Sequence, residues 1–161
     1  MKSDQQLQEV SYQLLAERGV HLNDIAQLVL SLQNKYIPSL TLEECLDNIQ
    51  AVLKKREVQN AIITGIEMDK LAEQNQLSQP LLDILKADEG LYGIDEILAL
   101  SIVNLYGSIG FTNYGYLDKE KPGIIASLNS KDGKSCHTFL DDIVCAIAAA
   151  AASRLAHNDP D

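Results

Sequence analysis

Residues 138–157 read TFLDDIVCAIAAAAASRLAH, and this stretch decides the fold. Leu140, Ile143, Val144, Ile147, Ala151 and Leu155 recur at steps of three and four, the spacing of one helical face. Residues 148–152 are all alanine. Alanine is the strongest helix former, and its small side chain lets neighbouring helices approach closely. Such a helix belongs at the centre of a bundle, surrounded by the others. Nowhere does the chain sustain the period-two alternation of a half-buried strand. The expected fold class is therefore all-α: a compact multihelical domain over 1–161 with a central Ala-rich helix.

Working outward, residues 5–18 form a helix stopped by Gly19. Asn23 is placed to cap a second helix whose stripe is Ile25, Leu28, Val29 and Leu32, and Pro38 ends that unit. Thr41 and Glu44 make a capping box for a third helix, expected to continue toward Ile63 and break at Gly65. A short helix follows at 67–74, then one capped by Ser78 with Pro80 in its first turn. Asp95-Glu96 opens the next. Residues 1–80 thus supply N-terminal helices, and 85–155 carry the charged motifs discussed below.

The chain has 161 residues, enough to bury a sizeable core. Against 13 Lys and Arg stand 23 Asp and Glu, a formal charge of −10. Nucleic acid requires a basic face, so it is excluded as a partner. Attachment to an anionic bilayer by bulk charge is excluded on the same ground. Cys45, Cys136 and Cys145 make no CxxC pair and read as cytosolic thiols. The polar start MKSDQQLQEV lacks the apolar core of a signal peptide, so the expected localisation is cytoplasmic. Residues 97–117 carry no charge, but Asn104, Gly107, Gly110, Asn113 and Gly115 interrupt them. They read as a buried helix over 97–105 and a turn-rich remainder, in place of the roughly 20 apolar residues of a membrane span.

Two acidic pairs sit in apolar company. Asp95-Glu96 precedes Ile97-Leu98-Ala99-Leu100, and Asp141-Asp142 lies between Phe139-Leu140 and Ile143-Val144. First-turn charge favoured by the helix dipole explains part of this. Burying an adjacent pair without a partner is costly. If the two pairs are apposed, their oxygens suit Mg²⁺ or Mn²⁺. His137, four residues before Asp141, could share its helical face. Residues 118–123 form a charged turn. No GxSxG, HExxH, GxGxxG or phosphate-loop pattern occurs.

Three motifs in order, Asp88-EGLYGI-Asp95-Glu96, Asp118-KE-Lys121-Pro122 and Leu140-Asp141-Asp142-Ile143-Val144, resemble the phosphatidylglycerophosphatase A family. The segments KREVQNAIITGI, DEGLYGIDEILALSIVNLYGSIGFTNYGYLDK and HTFLDDIV resemble its soluble YutG-like, low-temperature-requirement-C-like branch. The resemblance implies a Mg²⁺-dependent phosphatase, with Mn²⁺ an alternative, acting on phosphatidylglycerophosphate or a related phosphomonoester. It implies metal ligation by Asp95, Glu96, Asp141 and Asp142. Asp88, Asp118 and Lys121 become catalytic candidates, with His137 or a metal-bound water protonating the leaving alkoxide. The chain departs from the family in lacking an N-terminal PGT-like motif and in having Gly115 where members carry arginine. The competing readings are a non-enzymatic helical module that keeps a metal site and an all-α nucleotide-phosphate hydrolase. The expected partners are a phospholipid or phosphomonoester, peripheral membrane contact at most, and further copies of the chain as a dimer or tetramer.

Overall fold

A computed structural model describes residues 1–130 and 132–158. The first three helices are α1 (Asp4–Glu17), α2 (Leu22–Gln33) and α3 (Leu42–Leu53). Ser3 and Gln6 form a capping box on α1, and Thr41 and Glu44 form one on α3. The cap of α2 is two residues earlier than Asn23: the Asp24 carboxylate accepts the His21 N–H.

Beyond α3 the chain departs from the sequence expectation. The break falls at Lys54-Lys55, and α4 (Arg56–Glu73) then runs unbroken through Gly65. A Cβ on Gly65 would stand 2.4 Å from Ile143 Cδ1 and 3.1 Å from Phe139 Cβ. This glycine permits close helix packing and does not stop the helix. The separate helix expected at 67–74 is the second half of α4.

The remaining elements are α5 (Leu81–Ala87), α6 (Ile94–Val103), α7 (Ser108–Glu120), α8 (Ile124–Asn129) and α9 (Leu140–Asn158). The stretch expected to be turn-rich is mostly α7. Its Gly110 lies against Val103 and Ser153, so again the missing side chain serves an approach between helices. The buried helix expected over 97–105 runs from Ile94 to Val103 and is buried on one side only. Asp95, Ala99, Ile102 and Val103 face inward, while Ile94 and Ile97 are exposed. Among the described residues no helix is long and apolar enough to cross a membrane.

The last helix is the axis of the molecule. Every residue of α9 from Leu140 to Ser153 is buried, and α2, α3, α4, α6, α7 and α8 pack around it. The run of alanines leaves room for helices on all sides. Larger residues then fill the core between them, among them Ile25, Ile49, Leu53, Ile62, Ile102 and Leu117. Burying each such side chain contributes about 1.5–3 kcal/mol. The all-α expectation and its central helix hold.

Candidate active site

The site is built on the first turn of α9, whose free N–H groups need acceptors. Asp69, fully buried on α4, supplies them: its two oxygens accept from Phe139 N and Leu140 N, both at 3.0 Å. One turn further along α4, Glu73 accepts the Cys136 N–H at 2.7 Å and pairs with Arg18. Arg18 also donates to the Cys136 carbonyl. Thr138 donates to the Leu85 carbonyl at 2.6 Å and so binds the last turn of α5 to the same point. Burial pushes the Asp69 carboxyl up to about 8, against the opposing pull of the two N–H groups and Arg18.

This scaffold fixes Asp141 and Asp142 in the first turn of α9, both buried. Asp95 enters from the start of α6, and Asp118 from the end of α7. Burial and then the charges of Asp141, Asp95 and Asp118 raise the Asp142 carboxyl. Asp118 lies close enough to Asp142 to disfavour ionisation of both carboxyls at once. Asp141 is raised too, by burial first and then by Asp88. Lys121 stands between the groups, 3.4 Å from Asp118 Oδ1 and 3.9 Å from Asp141 Oδ2. Burial pulls its ammonium down, but Asp118 and Asp141 more than offset that and leave it raised.

Two of these residues adopt an uncommon backbone. Of the three non-glycine residues with positive φ among those described, Asp88 (50°) and Lys121 (48°) both belong to the motifs. They end α5 and α7 in the left-handed conformation. Such strain persists where the surrounding structure enforces it, and it concentrates at functional sites.

Asp88 and Asp141 open onto a cleft of about 140 Å³, together with Lys86, Lys134, His137 and Thr138. The helical-face argument for His137 fails, because α9 begins only at Leu140. His137 reaches the cleft by another route. Its Nδ1 lies 3.2 Å from an Arg18 nitrogen, and since arginine only donates, Nδ1 accepts and the proton sits on Nε2. Burial and then Arg18 lower its pKa, so it is neutral at pH 7.

The structure therefore brings Asp95, Asp118, Lys121, Asp141 and Asp142 within mutual electrostatic reach, with Asp88 and His137 at the cleft. Glu96 differs: it is exposed, and its charge bears on the Tyr114 hydroxyl. Among the described residues no three His, Cys, Asp or Glu side chains already surround one point as ligands would. The donor chemistry nonetheless fits a hard divalent cation, because every donor is a carboxylate oxygen and their mutual repulsion calls for positive charge. The three thiols are buried and raised above their usual range, which suits structural cysteines.

Residues 18–157 match the family described as Phosphatidylglycerophosphatase A. The chain belongs to the phosphatidylglycerophosphatase A family. The uncharacterized protein YutG of Bacillus subtilis (strain 168) is 67% identical to this chain over 143 residues, covering 89% of this chain and 86% of that one. The uncharacterized protein YpjQ of the same organism is 56% identical over 154 residues, covering 95% and 86%. The crystal structure of low temperature requirement C protein from Listeria monocytogenes superposes with a TM-score of 0.94 at 65% identity, covering 96% and 98%.

Among phosphatidylglycerophosphatase A motifs, the exchange of arginine for Gly115 is not forced by packing. A Cβ at Gly115 meets nothing within 4 Å. Sequence reasoning missed Asp69, Glu73 and Arg18, which hold the motif turn in place. The available signal was a carboxylate in the apolar half of α4, between Ile66 and Ala72, both buried.

Proposed function

We propose that the chain is a Mg²⁺-dependent phosphatase that removes the terminal phosphate of phosphatidylglycerophosphate or a related phosphomonoester. The observation that carries this reading is the convergence of motif carboxylates from α6, α7 and α9 around Lys121, beside a cleft. Family membership supports the phosphatase class.

Asp95, Asp118, Asp141 and Asp142 would hold the cation, with Glu96 at the rim. A bound divalent cation would offset charge on the phosphate oxygens and lower the pKa of water. Lys121 presents a compact positive charge to phosphate. Three carboxylates line the cleft, Glu73, Asp88 and Asp141; Glu73 is committed to Arg18 and the Cys136 N–H, and Asp88 or Asp141 would accept the proton of an attacking water. His137, neutral with its proton on Nε2, donates a hydrogen bond to the bound ester. The cleft is well below the roughly 300–1,000 Å³ of pockets that enclose drug-sized ligands. It admits a polar head group and leaves acyl chains outside.

The test is phosphate release with Mg²⁺ from phosphatidylglycerophosphate in micelles, glycerol phosphates and nucleotides. Release from the first or second, lost in Asp142→Asn, is the expected result. Release from nucleotides alone would replace the substrate assignment. No release from any of them would make the chain a binding module.

A further inference from the structure

Tyr114 lies on α7 one turn before Asp118 and is 6% exposed. Residues four apart share a helical face, so the ring projects on the side that carries the Asp118 carboxylate. Its hydroxyl is closed to solvent and has no hydrogen-bond partner among the described residues. Buried polar atoms without a partner are rare and call for an explanation. The charged groups that bear on this hydroxyl are Asp142, Asp118, Cys145 and Glu96. Except for the thiol, these are the motif carboxylates. The unmatched oxygen therefore lies buried within electrostatic reach of the carboxylate cluster.

Burial and then those carboxylates raise the Tyr114 hydroxyl far above its usual range, so it stays neutral. A neutral phenol offers one proton and accepting lone pairs. An anion alone would be repelled by the surrounding carboxylates. A water carried on a cation meets no such barrier. Mg²⁺ gives up its waters reluctantly, and each retained water turns its hydrogens outward toward acceptors.

We propose that the Tyr114 hydroxyl is the hydrogen-bonding partner of a water on the divalent cation that Asp95, Asp118, Asp141 and Asp142 would hold. This rests on the cation reading given above and assigns Tyr114 to it as a positioning residue, acting through the coordinated water. Groups of this outer kind commonly change metal affinity by roughly 10–100-fold when removed.

The experiment is a titration of Mn²⁺, followed by electron paramagnetic resonance, into the full-length wild type and Tyr114→Phe. The substitution removes one oxygen and keeps the ring. The wild type binds Mn²⁺, and the variant binds it about tenfold more weakly or worse. Without cation the variant melts at or above the wild-type temperature, because an unmatched buried polar atom has gone. Equal Mn²⁺ affinity overturns the proposal. A cation-free melting temperature clearly below wild type also overturns it, since the hydroxyl would then serve the fold. Failure of the wild type to bind Mn²⁺ overturns the proposal and the cation reading together, whereas the other adverse outcomes leave that reading standing.

Discussion

Asp69→Asn tests whether α4 carries the first turn of α9. The wild-type carboxylate accepts from Phe139 N and Leu140 N, one bond to each oxygen. Asparagine keeps a single acceptor oxygen and turns an NH₂ toward the other N–H. One buried N–H is then left without a partner, at a cost of about 1–3 kcal/mol. A second effect opposes this one and depends on pH. Burial pushes the folded carboxyl up to about 8, from the 3.8 usual for aspartate. Between these values the folded state holds a proton that the unfolded state has released, so wild-type stability falls as pH rises through the window. Asparagine does not titrate and lacks that slope. From pH 5.5 to 8 the difference reaches at most about 3 kcal/mol, at about 1.4 kcal/mol per unit. The deficit of the variant is therefore largest near pH 5.5 and smaller at pH 8.5. Urea unfolding of both proteins at the two pH values, without divalent cation, measures it. Equal deficits, or a larger one at pH 8.5, would refute the placement of a strained buried carboxyl at this cap.

Three further outcomes concern the same region. Asp142→Asn removes one of several mutually repelling buried carboxyls and stabilises the cation-free protein by about 1 kcal/mol or more. Millimolar Mg²⁺ stabilises the wild type by about 3 kcal/mol if it reaches a hundred times the dissociation constant, and the variant by less; differential scanning calorimetry with and without chelator reads both. Gly65→Ala gains about 1 kcal/mol of helix propensity. It loses about 1–3 kcal/mol to overpacking against Ile143, whose Cδ1 lies 2.4 Å from the added Cβ. The denaturant midpoint therefore drops slightly or holds, and a gain near 1 kcal/mol would show that α9 can move aside.

The helices whose ends are written in local chemistry were legible from sequence. The Thr41–Glu44 box and the alanine-rich stripe each specify their own neighbourhood, and the structure follows them. Glycine misled twice. Gly65 and Gly110 sit inside helices because a neighbouring helix needs the space of a side chain: Ile143 and Phe139, far along the chain, for Gly65, and Val103 at the end of α6 for Gly110. The same limit governed the site. Adjacent acidic residues could be recognised one motif at a time. That Asp142 would come within electrostatic reach of Asp118, or that α4 would cap α9 through Asp69, depends on contacts across 24 and about 70 residues. The exposure of Ile94 and Ile97 was hidden for another reason: α6 is apolar on every side, so its pattern does not say which face turns inward.

The position of α9 in the chain has a consequence for synthesis. α1 can pair with α4 and α2 with α3 as they emerge, but most other helices bury their apolar faces on a helix that ends at Asn158. Translation adds roughly 5–20 residues per second. About 5–20 s therefore separate the completion of α3 from that of α9 at this rate. Throughout that interval the nascent chain presents uncovered apolar stripes around a missing axis. Ordering of the Asp141-Asp142 turn must wait for the same moment, so the candidate site and the core are completed together, once α9 has emerged from the ribosome.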